Sequence, residues 1–270
     1  MTQSSQDHLL PRLPAGQGWQ PVSHGESGDR VYRRSDSAAY AKIAIGAGAT
    51  ALEGERRRLE WVAPFGLGTA PVLDWIVKDD AACLVTGTVP GIPAVDLPAD
   101  RLLQAWPSII RRLNALHGLP AAECPFDRGL AVMVPRAEDV VARGAVNPDF
   151  LSEAARTVPP TILLDRLLAQ LPGRQVQEAA DRVVCHGDAC LPNIMVDPDT
   201  LACTGLIDLG RLGTADRYVD LSLLLANSGE SWTSQGQAQA ARDQLFAILD
   251  LPLDQGRLDF YLGLDPLTWG

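Results

Sequence analysis

The order of apolar and polar positions divides the chain in two. From Trp19 to about Thr88 it comes in short strand-type runs. Arg30–Arg34 and Ala38–Ile45 predict two strands joined by a tight Ser-Asp-Ser turn, and Pro71–Val77 and Ala82–Thr88 predict two more, joined at Lys78-Asp79-Asp80. Between the pairs a helix is predicted from Thr50 to Ala63, closed by Pro64 and Gly66. After Val89-Pro90-Gly91 the period changes. Leu102, Trp106, Ile109, Leu113 and Leu116 recur at helical spacing, and Pro107 either kinks that helix or opens a new one. Further helical patterns cover 135–145, 161–171, 217–228, 235–250 and 255–263. One stretch, Val183 to Asp208, interrupts them and reads as short strands and turns. The expected fold class is α+β: a loose polar arm over 1–18, a small β-rich lobe over 19–88, a Pro/Gly hinge near 87–91, and a larger helical lobe over 89–270.

Composition narrows the function class. The 270 residues carry 33 acidic and 23 basic side chains, a formal charge of −10. Nucleic-acid binding needs a basic surface, so no nucleic-acid partner is expected, and a cationic or small-molecule partner fits better. At 46% hydrophobic and 21% charged, the chain has an ordinary globular composition. No apolar run approaches the ~20 residues of a membrane helix, and the first residues show no signal-peptide pattern. Cys83, Cys124, Cys185, Cys190 and Cys203 are scattered and lack C-x-x-C spacing, which predicts reduced thiols, a cytoplasmic protein and no zinc site. No obligatory protein partner is expected. Of the 23 basic side chains only Lys42 and Lys78 are lysines, so each invites a reason.

The segment Val183–Gly210 reads VVCHGDACLPNIMVDPDTLACTGLIDLG. It places Asn193 five residues after Asp188 and Asp208 fifteen after that, with apolar pieces flanking the turn Asp197-Pro198-Asp199, a hairpin expected to bring Asn193 and Asp208 together. Phosphoryl transfer from a nucleotide needs a carboxylate to orient the acceptor hydroxyl and hard oxygen ligands for Mg²⁺, which an Asn carbonyl and an Asp carboxylate supply. Cys190, inside this loop, has no cationic neighbour in sequence to lower its pKa and reads as a packed thiol. His186 reads as a buried imidazole that orients the loop.

The pattern H-G-D-x-x-x-x-N followed by I-D-x-G resembles the aminoglycoside phosphotransferases, relatives of the protein kinases. The resemblance implies a bilobal kinase-like fold, Asp188 as the catalytic carboxylate, and Asn193 and Asp208 as Mg²⁺ ligands. It also implies a structural role for Asp220, tying down the catalytic loop. The run Gly210-Arg211-Leu212-Gly213-Thr214-Ala215-Asp216-Arg217-Tyr218 is similar to the same family.

The small lobe adds its own signals. Lys42 lies in the apolar strand Tyr40-Ala41-Lys42-Ile43, where a kinase needs a compact cation on the α and β phosphates. On the following helix Glu55 falls on the apolar stripe of Leu52, Leu59 and Val62, and a carboxylate there calls for a partner, which Lys42 supplies. Glu53 is the alternative, and the resemblance favours Glu55. Ser23–Asp29 would form the loop over the nucleotide phosphates, with Ser27 adding a hydroxyl. Adenine is expected at the backbone of Thr88 and Val89.

Resemblance also bears on the acceptor. Cys124-Pro125-Phe126-Asp127 and Phe260–Asp265 look like the kinases of 3′ or 3″ aminoglycoside hydroxyls. Ala105–Ser108, Asn147–Phe150 and Asp265–Gly270 look like those acting on the 3″ hydroxyl of streptomycin. Pro266 departs from the acidic residue that 3′-kinases often have there. The expectation is an aminoglycoside resistance kinase passing the γ-phosphoryl of ATP, or GTP, to the streptomycin 3″ hydroxyl with Mg²⁺. A polycationic drug calls for carboxylates, and Asp149, Glu230, Asp265 and the terminal carboxylate of Gly270 are the candidates, with Trp269 either stacking on guanidinium groups or anchoring the terminus. The alternatives are a 3′-phosphotransferase of the kanamycin or neomycin type, a metabolite kinase of the same fold, and a nucleotide-binding pseudokinase serving as an interaction module.

Overall fold

Short runs with tight turns between them make hairpins, and the first part of the chain is built that way. The computed structural model describes residues 18–22 and 30–269. The expectations placed on the arm before Gly18, on Ser27 with its loop, and on Gly270 lie outside the described residues. Strands β1 (Trp19–Pro21), β2 (Arg30–Arg34), β3 (Ala39–Ile45), β4 (Val72–Lys78) and β5 (Ala81–Gly87) form an antiparallel sheet in the order β1-β2-β3-β5-β4. The four expected strands are present, with every end within one residue. Their turns use the left-handed region at Ser37 (φ 61°) and Asp79 (φ 54°), and Asp36 caps the first by accepting from the Ala38 N–H at 2.9 Å. One face of the sheet buries Ala39, Ala41, Ile43, Ala81, Cys83 and Val85. Helix α1 (Ala47–Val62) packs on β3 and β5 and buries Leu52, Leu59 and Val62. It starts three residues before Thr50 because Gly46, with φ 56° and no capping side chain, opens it through the backbone alone.

The chain divides into two compact units. The first runs through Ile92 and also takes Met195–Asp197 and Thr204–Gly210; the second takes Pro93–Ile194, Pro198–Cys203 and the chain from Arg211 onward. The short strands β6 (Ile92–Pro93), β8 (Ile194–Val196) and β9 (Cys203–Leu206) form a sheet in the order β6-β8-β9. In the first unit Ala70, Val89 and Met195 pack together with Ile207 alongside. Gly68 (φ 72°) permits a close approach there, since a Cβ at this position would lie 1.9 Å from the Thr204 carbonyl oxygen.

The second unit is mainly helical, as expected. Helix α2 (Ala99–His117) runs unbroken through Pro107 and buries Leu102, Trp106, Ile109, Leu113 and Leu116. The Trp106 indole N–H donates to the Ala241 carbonyl at 2.8 Å. Then come α3 (Leu130–Ala142), α4 (Glu153–Arg156), α5 (Pro160–Leu168) and α6 (Leu171–Ala180). After the loop region follow α7 (Tyr218–Ser228), α8 (Gln235–Leu249) and α9 (Gln255–Leu264). Strands β7 (Arg182–Cys185) and β10 (Gly213–Asp216) pair antiparallel.

Beyond the short additions β1, β6 and α4, three elements depart from the expected pattern. Helix α3 begins five residues before Pro135, because the remote Glu178 carboxylate caps it by accepting from the Leu130 N–H at 2.9 Å. Helix α6 is an addition: Pro172 sits in its first turn, where proline is tolerated, instead of breaking a helix. Strand β10 exists because β7 pairs with it. Among the described residues no helix is long and apolar enough to cross a membrane.

The Gly68 contact is testable. Gly68→Ala adds a left-handed strain and a clash with backbone, and should destabilise by roughly 1–3 kcal/mol in a urea titration. An unchanged midpoint would rule out the close approach.

Candidate active site

In the first unit the two-residue period of β3 decides where its side chains go. Ala41 and Ile43 enter the core cluster, so Lys42 between them faces the side covered by α1. Lys42 Nζ donates to Glu55 Oε2 at 2.9 Å, with side-chain exposures of 19% and 13%. Glu53 is instead 53% exposed and lies 3.9 Å from Arg56, so Glu55 is the partner. Lys42 Nζ also reaches Asp208 Oδ1 at 3.4 Å. Asp208 has φ 58°, a left-handed conformation that Asp tolerates better than most residues. Thr88 is anchored to the start of β3: its N–H donates to the Ala38 carbonyl at 3.2 Å and its hydroxyl to the Ser37 carbonyl at 2.6 Å. Val89 is buried.

In the second unit the loop after β7 is fixed by Asp220, from the first turn of α7 and 0% exposed. Its Oδ2 accepts from the His186 N–H at 2.8 Å and lies 2.9 Å from His117 Nε2, while Oδ1 accepts from the Gly187 N–H at 2.8 Å. Burial alone would raise the Asp220 carboxyl, but the His117 hydrogen bond, the His117 and His186 rings and the Gly187 N–H outweigh it and hold it below the ordinary carboxylate value. Gly187 has φ 79°, and a Cβ there would lie 2.2 Å from the Arg211 carbonyl oxygen and 2.6 Å from Arg128 Cδ. Both backbone conformation and space therefore demand glycine. His186 is fully buried, and its Nδ1 accepts from the Asp188 N–H at 3.2 Å, which makes it the loop-orienting imidazole expected.

Asp188 and Asn193 meet within this loop. Asn193 Nδ2 donates to the Asp188 backbone carbonyl at 3.0 Å and to Asp188 Oδ2 at 3.1 Å. A backbone carbonyl only accepts, so the amide nitrogen must face it and the Asn193 carbonyl oxygen is left to act as a ligand. That oxygen in the second unit and the Asp208 carboxylate in the first, 48% exposed, are the hard donor types that suit Mg²⁺. Burial, followed by the Asp188 charge, pushes the Cys190 thiol up, so it is no nucleophile at neutral pH.

The expected drug-binding acids fall into two kinds. Asp149 and Glu230 are exposed, on short 3-10 turns after α3 and α7. Asp265 is already engaged: its Oδ1 accepts from Arg128 at 3.2 Å and Arg211 at 3.1 Å, and its Oδ2 from the Trp269 indole N–H at 3.0 Å. The Arg211 guanidinium lies 3.3 Å from the Trp269 ring centroid, and Phe150 packs on the same indole at 5.3 Å. Trp269 thus stacks on a guanidinium of its own chain. Burial, then the like charge of Arg128, pushes Arg211 down to about 10, so it still carries its charge at neutral pH.

Two of these residues had little or no sequence signal. His117 lies four residues after Leu113 on the apolar face of α2, and a polar residue on that stripe was the available clue. Arg128 sits in a loop with no periodicity to mark it.

A model of the phosphotransferase enzyme family matches residues 18–261. Streptomycin 3″-kinase of Streptomyces griseus is 51% identical over 255 residues, covering 94% of each chain. Aminoglycoside 3′-phosphotransferase of Streptomyces fradiae is 36% identical over 271 residues, covering 96% of this chain and 98% of its own. Among solved structures, aminoglycoside phosphotransferase APH(3″)-Id from Streptomyces rimosus in complex with ADP and streptomycin superposes with a TM-score of 0.93 at 46% identity, covering 99% of this chain and 98% of that one.

Removing the Asp220 charge should loosen the loop. Asp220→Ala leaves buried N–H groups and His117 without an acceptor, and should destabilise by about 3–5 kcal/mol. Asp220→Asn tests the sign with pH. The depressed folded pKa contributes stability that is complete above the unfolded value of about 4 and is lost as pH falls through the folded value. The stability gap between wild type and Asp220→Asn should therefore narrow on acidification below about pH 4. A gap independent of pH, measured by denaturant titration, would contradict the charged role.

Proposed function

The chain belongs to the aminoglycoside phosphotransferase family, and from that premise we propose that it transfers the γ-phosphoryl of ATP to the 3″ hydroxyl of streptomycin, conferring resistance to the drug. The observation that carries this reading is the near full-length similarity to the Streptomyces griseus kinase, in a chain that holds the Lys42–Glu55 pair and the Asp188–Asn193 loop.

Each residue has a role the geometry suits. Lys42, held by Glu55, presents a compact ammonium to the α and β phosphates. Asp188 aligns the acceptor hydroxyl and takes its proton late, since a loose transition state rewards positioning over strong base catalysis. Asn193 and Asp208 would hold Mg²⁺, which when bound neutralises charge on the phosphates. Ser27 with its loop would cover the phosphates, and the backbone of Thr88 and Val89 would meet adenine. Thr88 already gives its N–H to Ala38, which leaves its carbonyl and the Val89 N–H for that task.

For the drug, the exposed acids Asp149 and Glu230 supply carboxylates to cationic groups. Asp265 and Trp269 hold Arg128 and Arg211, so a drug cation at Asp265 would share its carboxylate with donors of the same chain. Gly270 completes the proposed set. A cytoplasmic location suits a kinase that depends on cellular ATP.

Incubation with ATP, Mg²⁺ and streptomycin should add one phosphoryl group by mass spectrometry, placed on the 3″ oxygen by NMR. Asp188→Ala should lower turnover roughly 10²–10⁴-fold with nucleotide binding retained. Unmodified streptomycin with the wild-type protein rejects the substrate, and near wild-type turnover in Asp188→Ala rejects the mechanism.

A further inference from the structure

The carboxylate that must face the acceptor hydroxyl has a separate donor on each oxygen. The Asn193 amide donates to Asp188 Oδ2 at 3.1 Å, and the Cys190 thiol donates to Asp188 Oδ1 at 3.3 Å. Both donors come from one tight turn. The Cys190 N–H returns to the Asp188 carbonyl at 2.8 Å, and the Asn193 N–H to the Cys190 carbonyl at 3.0 Å. The Leu191 N–H between them is fixed by Asn227 Oδ1 of α7 at 2.7 Å. A rotation of the Asp188 carboxylate about its last side-chain torsion breaks both side-chain bonds, so the pair sets its plane.

A thiol is suited to the second position. It is a weak donor with a long bond, so it restrains the carboxylate without drawing strongly on the lone pairs the acceptor hydroxyl needs. Burial and the Asp188 charge keep it protonated, and hence a donor, at neutral pH. The backbone of Cys190, with φ −87° and ψ 155°, is extended and accepts a β-branched replacement.

We propose that Cys190 is a positioning residue for phosphoryl transfer, its thiol hydrogen bond setting the plane in which Asp188 presents an oxygen to the acceptor. The proposal rests on the reading of Asp188 as the acceptor-aligning carboxylate.

Cys190→Val keeps similar bulk and deletes the donor, whereas Cys190→Ser keeps a donor. Losing this hydrogen bond, at the weak end of the usual range, should lower kcat about threefold in Cys190→Val, with both KM values held within about twofold. Cys190→Ser should recover at least about half of wild-type kcat. Crystal structures should show the Asp188 carboxylate turned or split between orientations in Cys190→Val and unchanged in Cys190→Ser. A Cys190→Val variant with wild-type kcat, or one that raises KM alone, overturns the proposal. So does an Asp188 carboxylate that keeps its orientation without the thiol. If the wild type phosphorylates no aminoglycoside, the functional reading fails, and the Asp188 orientation in the two variants still decides the role of the thiol.

Discussion

The loop after β7 depends on a buried negative charge. Asp220 is cut off from water, and such a carboxylate persists only where donors replace the solvent it has lost. Here they are two consecutive backbone N–H groups, of His186 and Gly187, and a histidine ring from a helix that ended 103 residues earlier in the chain. Once those N–H groups point at one carboxylate, the backbone between β7 and Asp188 has little freedom left. Gly187 must take a positive φ, His186 is turned inward, and Asp188 leaves the loop in a fixed direction. The glycine of the H-G-D motif is thus a consequence of the clamp. A side chain at that position would collide with the Arg211 carbonyl and the stem of Arg128.

A second constraint comes from arginine crowding. Arg128 and Arg211 share the Asp265 carboxylate, and both lose hydration by burial. Two like charges against one carboxylate are sustained because Trp269 adds a ring face to Arg211 and an indole donor to Asp265. The end of the described chain therefore supports the arginines beside the Gly187 loop, and Phe150, next to the exposed Asp149, packs on the same indole. Acids that look equivalent along the sequence differ in what they have left to offer a cation. Asp149 and Glu230 stand in solvent, while Asp265 already serves donors of its own protein.

This difference marks the limit of what could be read from the chain. The sheet of the first unit was legible because each strand is short, its partner is the next strand but one at most, and its turns carry Asp and Ser at left-handed positions. Lys42 and Glu55 were legible as charges placed on apolar surfaces, and Asp188, Asn193 and Asp208 by spacing and resemblance. What stayed hidden depends on distant partners. Strand β10 needs β7 and the start of α3 needs Glu178, and although resemblance implied that Asp220 ties down the loop, its partner His117 comes from a distant helix. The assignment of Met195–Asp197 and Thr204–Gly210 to the first unit is likewise a tertiary fact, because their packing partners there include Ala70 and Val89. No local period encodes such a pairing.

The charge count of the first unit's cluster explains why its parts belong together. Lys42 stands between two carboxylates, Glu55 at 2.9 Å and Asp208 at 3.4 Å, so one positive charge serves two negatives. Glu55 is mostly buried, whereas Asp208 is about half exposed and open to exchange of partners. In the proposed reading, a divalent cation on Asp208 would compete with Lys42 for that carboxylate. A guanidinium fits this exchange poorly, because its fixed fork prefers one bidentate partner over three independent ones. In a chain that writes nearly all its cations as arginine, a lysine at position 42 follows from that requirement.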